Sequence, residues 1–227
     1  MAIRNVLAVA AAVFLATPSL AAFSDDAGEY TFTVLKDGTP VGEHRFIFDR
    51  TGNRIEIHEA TEIEVRFATV PLYIFEHESR EVWENSRPIR IDATTNDNGK
   101  KLDITVQADG DGYVRTVNGR VDRFDGSTAV LAFWNKATLE HRAFFSAVED
   151  KTFKASFEYA GREKLALGGQ ELDVEHYRMV GDEEHDLWFD TAGHVVKVEF
   201  RRYGSDMAYI RDQLTPREPR TTCAQTC

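Results

Sequence analysis

From Arg54 to Phe67 the chain reads "RIEIHEATEIEVRF", and its apolar residues fall on every second position. Ile55, Ile57, Ile63, Val65 and Phe67 take the odd places, while Glu56, His58, Glu62, Glu64 and Arg66 take the even ones. A period of two over that length predicts a long β-strand with one apolar and one wet face, His58 lying on the wet one. The same alternation runs through "PLYIFEHESREVW". There Tyr73, Phe75, His77, Ser79 and Trp83 share a face, with Glu76, Glu78 and Arg80 on the other. In "VGEHRFIF", His44 falls in phase with Phe46 and Phe48.

Turn signals punctuate these runs at the spacing of an antiparallel meander: Asp37-Gly38, Thr51-Gly52, Asn98-Gly99, Asn118-Gly119 and Ala192-Gly193. The two Asn-Gly pairs predict type I′ hairpins, in which both central residues need positive φ. Around Asn118-Gly119 the register sets Arg115 opposite Asp122 and Tyr113 opposite Phe124. The best helical candidate is "NKATLEHRAFF" (Asn135 to Phe145). Just before it, "VLAFWN" ends a strand with Phe133 and Trp134 adjacent, so that they point to opposite faces and one of them reaches a rim or interface. The expected fold is all-β: a single antiparallel meander forming a strongly curved sheet or an open, half-closed β-barrel, with at most one or two short helices.

The stretch "HYRMVGDEEHDLWFDTAGHVVKVEF" (His176 to Phe200) concentrates histidines among acids and invites a metal reading. As two hairpins, the first closing tightly over Asp182-Glu183, it resolves into a sheet. Tyr177, Met179, Trp188, Val196, Val198 and Phe200 then share an apolar face, and His176, Arg178, His185, Lys197, Glu199 and Arg201 a polar one. Zinc wants three or four ligands converging at about 2 Å, which this register does not gather. No metal and no cofactor are expected.

The N-terminus changes the picture. Arg4, the apolar run Val6–Ala16 and Ser19-Leu20-Ala21 fit a secretory signal peptide over residues 1–21, which implies export to the periplasm. A single β domain is expected over 22–212, followed by a disordered tail over 213–227. The tail carries Cys223 and Cys227, the chain's two cysteines, which could form a disulfide with each other, bridge two chains or bind a soft metal. Removing the signal removes one Arg and no acid, taking the net charge from −11 to about −12. That balance argues against nucleic acid or an anionic lipid surface as a partner. No transmembrane segment is expected in the mature chain.

Signatures of catalysis are missing. The chain has no G-x-S-x-G elbow and no glycine-rich nucleotide loop after a strand. His77 and Ser79 lie two apart on one strand without an orienting acid, so they make a poor dyad. The polar run "TTNDNGKK" (Thr94 to Lys101) reads as a hairpin turn.

The segments "YTFTVLKDGTPVGEHRF", "HESREVWENSRPIRIDATTNDNGKKLDITV", "AFWN" and "HYRMVGDEEHDLWFDTAGHVVKVEFRRYGSDMAYI" together resemble a group of exported proteins of Gram-negative bacteria known as a domain of unknown function. More distantly, the meander of long strands is similar to the half-barrel of periplasmic lipoprotein carriers. That likeness implies a curved sheet around an apolar groove and brings no catalytic residues. The expectation is a non-enzymatic periplasmic protein binding an apolar small molecule, a lipid or an envelope protein. Tyr73, Phe75, His77, Trp83, Trp134, Tyr177 and Trp188 are the candidate ligand-binding residues. The alternative is a structural or interaction protein of the cell envelope without a pocket.

Overall fold

The computed structural model describes residues 28–216, with side chains as far as Asp212. The expected signal peptide and both cysteines lie outside the described residues. Fifteen strands follow in chain order. The first eight are β1 (Gly28–Lys36), β2 (Thr39–Thr51), β3 (Arg54–Phe67), β4 (Val70–Glu84), β5 (Arg87–Asp97), β6 (Lys100–Asp109), β7 (Gly112–Val117) and β8 (Arg120–Phe124). The remaining seven are β9 (Thr128–Val130), β10 (Ala143–Phe145), β11 (Thr152–Leu167), β12 (Gln170–Gly181), β13 (His185–Asp190), β14 (Val195–Arg202) and β15 (Ser205–Pro216).

They form one sheet in the order β8-β7-β6-β5-β4-β3-β2-β1-β15-β14-β13-β12-β11-β10-β9. The first and last strands pair with each other, β1 with β15, so the meander winds outward from that central pair in both directions. Its two ends, β8 and β9, are separated in sequence only by Asp125, Gly126 and Ser127. A sheet whose outermost strands are tied by three residues must curl, and the result is nearly a closed barrel. The all-β expectation holds; the sheet closes further than the half-barrel likeness implies. Among the described residues there is no α-helix. The helical candidate is a single 3₁₀ turn, Lys136–Glu140, capped by the Asn135 side chain accepting from the Ala137 N–H, and Ala143–Phe145 is strand instead.

The hairpins follow the turn chemistry. Asn98 and Gly99 have φ of 50° and 94°, Asn118 and Gly119 of 47° and 84°, as type I′ turns require. Arg115 pairs with Asp122 and Tyr113 with Phe124, as the sequence pattern sets them.

One register departs from expectation. β12 meets β13 with Tyr177 opposite Leu187, His176 opposite Trp188 and Met179 opposite His185, one residue away from a tight turn over Asp182-Glu183. The cause lies on the other neighbour. Gly181 stays on the β11 ladder opposite Ala155, and a Cβ there would sit 2.3 Å from the Lys154 carbonyl oxygen. Asp182 then locks the corner, its side chain accepting from the Lys154 N–H and its own N–H donating to the Lys154 carbonyl. The chain therefore turns back only at His185. Because a slip of one residue exchanges the faces, Trp188 passes to the face away from the main core, where it is buried with Val174 and Val196, stacked on His176 at 4.4 Å and under the Lys197 ammonium, while His185 goes inside.

The interior is filled from within. After β9 the chain dives inward, and Val130, Ala132, Trp134, Phe145 and Ala147 join Phe46, Ile57, Trp83, Ile91, Leu187 and Phe189 in the main core cluster. Trp83 and Trp134 meet edge to face at 4.8 Å, a contact worth about 1 kcal/mol beyond the area it buries. The segment Leu131–Asn135 is not strand, and Phe133 and Trp134 both face the interior cavity rather than opposite faces.

Arg115 holds the seam. It is 2% exposed, with its guanidinium between the two ends of the sheet. It donates to the Ser146 and Lys151 carbonyls on the β10–β11 side, and to Asp122 on β8 and Asp150 in the β10–β11 loop. Phe124 and Phe145, stacked at 4.5 Å, lie against it. Removing one partner of such a buried charge network is strongly destabilising. Arg115→Met is expected to lower the unfolding free energy by about 3 kcal/mol, read from urea denaturation, whereas Arg123→Ala, whose partner Asp109 is exposed on the same side of the sheet, should change it by less than about 1 kcal/mol.

Candidate functional site

Between the sheet and the inward segment lies a cavity of about 520 Å³. A second, about 260 Å³, shares Phe75, Phe200, Arg202, Tyr203 and Tyr209 with it and extends along Ile63, Val65 and Met207. The shared end opens at the rim formed by the β3–β4 and β14–β15 turns, where Phe67 is 74% and Tyr203 81% exposed.

The walls are more apolar than polar and rich in aromatic rings, and four adjacent strands carry a belt of polar side chains across them. Strand pairing sets the rows. His44 on β2 lies opposite Thr61 on β3, which lies opposite His77 on β4, which lies opposite Thr95 on β5. In the next row Phe46, Glu59 and Ser79 are neighbours, and in the third Phe48, Ile57 and Glu81. Because residues two apart on a strand share a face, the inward phase of β3 places Glu59 and Thr61 between Ile57 and Ile63. That of β4 places His77, Ser79 and Glu81 between Phe75 and Trp83.

The two carboxyls of the belt interact. Glu81 accepts from the Trp83 indole N–H at 2.6 Å and from the Ser79 hydroxyl at 3.1 Å, and it hydrogen-bonds Glu59. Glu59 lies 3.9 Å from His44 Nε2 and is 14% exposed, an opening toward the cavity. Burial, followed by the neighbouring Glu81, holds the Glu59 carboxyl well above the ordinary range. Burial also raises Glu81, but its donors Trp83, Ser79 and Glu59 work against this and favour its ionised form. Two touching carboxyls cannot both ionise cheaply, so Glu59 is the one held protonated and Glu81, with its donors, is the readier of the two to ionise.

The histidines are neutral. Burial pulls His44 down to about 3, with His77 contributing, and pulls His77 down to about 4 against a backbone hydrogen bond with Thr94. The tautomer of His77 follows from its partner. Thr95 Oγ1 donates its one proton to the Val148 carbonyl at 2.9 Å, so it accepts from His77 Nδ1–H at 2.8 Å. His77 Nε2 is therefore an unprotonated acceptor. It is buried with no hydrogen-bond partner, on a side chain that lines the cavity.

The candidate residues divide. Phe75, His77 and Trp134 line the larger cavity, and Tyr73 with Phe75 the smaller. Trp83 is packed beneath, its indole committed to Glu81. Tyr177 faces inward against Phe189 and Lys136 without lining either cavity. Trp188 is on the outer face and belongs to neither, the consequence of the β12–β13 register. Sequence reasoning missed Glu59 and Glu81. Their signal was an acid in the apolar phase of an otherwise clean alternation.

A nearly closed meander barrel with an aromatic cavity and an internal polar belt defines the class of protein. The chain belongs to the family DUF6134, a domain of unknown function, which it matches over residues 32–212. The fold is similar to that of the crystal structure of a β-barrel-like protein of the domain of unknown function DUF1849 from Brucella abortus. The TM-score is 0.59 at 8% identity, covering 84% of this chain and 97% of that one. Comparison with curated proteins gives no match.

The belt leaves a signature in stability. Folding keeps a proton on Glu59 that the unfolded chain, with its ordinary value of 4.5, releases as the pH rises. Glu59 therefore costs nothing below about pH 4 and increasingly destabilises the fold above about pH 5. The buried histidines act oppositely: neutral in the fold, they lose stability for it as the pH falls from 6.5 toward about 4 and 3. Glu59→Gln removes only the first effect. Its stability relative to the parent is expected to be greater at pH 7.5 than at pH 4 in guanidinium titrations; a difference independent of pH would refute the protonated Glu59.

Proposed function

We propose that this protein is a non-enzymatic, periplasmic binding protein that holds a small amphiphilic molecule inside its barrel. The observation that supports this most is a buried, unpartnered Nε2 on His77, a residue that lines a 520 Å³ cavity. Buried polar atoms are almost always satisfied, and a cavity of this size falls in the range of small-molecule sites. The apolar walls suit a hydrocarbon body, and the belt suits one polar end. The smaller cavity supplies a lined path from the rim, where Phe67, Val70, Leu72 and Tyr203 are exposed.

Native mass spectrometry of protein gently released from the periplasm should show an excess mass that disappears on denaturation. The stripped protein should bind the neutral dye Nile red with micromolar affinity. Ala147→Phe, which projects a ring into the cavity, should weaken that binding at least tenfold with unchanged far-ultraviolet circular dichroism. A clean unliganded mass together with no dye binding would overturn the reading.

The same exposed rim favours a second reading, docking of an envelope protein at the barrel mouth. Strand edges offer less, since β8 and β9 are five and three residues long. A photo-crosslinker at Phe67 would then trap one defined protein in cells, and a diffuse pattern would count against it.

A further inference from the structure

The unmet valences of the belt all have the same sign. His77 Nε2 is an acceptor, fixed as such by the Thr95-to-Val148 hydrogen bond. Glu59 and Glu81 hydrogen-bond each other, and the donors around Glu81 make it the readier of the pair to carry negative charge. The site thus gathers two buried carboxyls beside an unsatisfied buried lone pair, and among the described residues no lysine or arginine pairs with them. The basic residues around the cavity are spent at its mouth: Lys151 on Glu149 and Glu183, Arg201 on Asp206, and Arg202 on Glu149 and Asp97. Nearby histidines do not supply the charge, because burial keeps His44 and His77 neutral.

We propose that the occupant's polar end is an organic ammonium, received by Glu81, Glu59 and His77 Nε2, with its hydrocarbon part against the aromatic wall. The inference rests on the binding reading above and names its ligand class. An ammonium offers several donors to a site that offers acceptors, and its charge cancels that of the pair without any proton being gained or lost. An alcohol offers a single donor and leaves the charge unpaired. A carboxylate or phosphate would bring like charge into low dielectric beside Glu81. The π faces of Phe46, Phe75 and Trp134 around the belt favour a cation further, and the chain's net charge of −11 draws cations toward it from solution.

Displacement of Nile red by three octyl probes tests this in the mature protein at pH 7. Octylammonium is expected to bind at least tenfold tighter than octan-1-ol, and octanoate more weakly than either. Glu81→Gln, its fold confirmed by circular dichroism, should lose at least tenfold in octylammonium affinity and erase most of the preference over octanol. Octanol binding as tightly as octylammonium would overturn the proposal while leaving the binding reading intact, as would failure of all three probes against bound Nile red. Absence of Nile red binding together with a clean unliganded mass would remove both. The ranking on the unmutated protein decides the matter even if Glu81→Gln does not fold.

Discussion

Everything inside this barrel depends on the closure that Arg115 makes. A meander of fifteen strands has two free edges, and unpaired edges are a hazard that folds must manage. Here the outermost strands β8 and β9 are tied by three residues, and the Arg115 guanidinium joins β8 to the β10–β11 loop with bonds to Asp122, Ser146, Lys151 and Asp150. The same side chain rests on Phe124 and Phe145, so the charge is sealed by the aromatic pair it helps to position. Closing the seam there also fixes where the inward segment starts and ends. Val130 and Phe145 lie on strands beside it, and Trp134 hangs between them against Trp83.

That inward segment decides how much of the barrel is core and how much is site. Trp134, Ala132 and Ala147 complete the apolar packing at one end, where Ile57, Ile91 and Val106 are fully buried. Toward the other rim the same segment stops short and leaves space. The polar belt lies at that boundary, where Val148 supplies the carbonyl that fixes Thr95 and, through it, His77. The two connections flanking β10 therefore pack the core, shape the cavity and set the tautomer of a lining histidine. Coupling of this kind rigidifies a site, because each group is held by a neighbour that is itself held.

Much of the fold was legible in the chain. The alternation from Ile55 to Phe67 and the Asn118-Gly119 turn gave strand, face and register together, because a type I′ turn leaves no choice of pairing. His44 and His77 were legible as inward residues by phase alone. The β12–β13 register was not, since it is set by Gly181 and Asp182 gripping Lys154 on a strand far away in sequence. Phe133 and Trp134 were misplaced because the strand ends at Val130 and alternation no longer governs them. Glu59 and Glu81 passed unnoticed for a different reason: an apolar phase was inferred from its apolar members, and the two acids that interrupt it were not counted.

Those two acids are also the strongest argument that the interior is for something. Immediately beside them in the same inward phase stand Ile57 and Trp83, and one strand over from Glu81 is Ile91. The barrel plainly accommodates apolar side chains at these rows. Replacing a buried ionisable group by a packed apolar one is often neutral or stabilising, so a barrel built only to fold would gain by doing so. Instead the chain keeps two carboxyls, two neutral histidines and three hydroxyls in adjacent rows, and leaves His77 Nε2 without a hydrogen-bond partner. The arrangement costs stability in the empty protein, a cost that the occupant proposed above, with donors to offer, would offset. Cost in the empty state with compensation in a filled one would mark a binding site rather than a core.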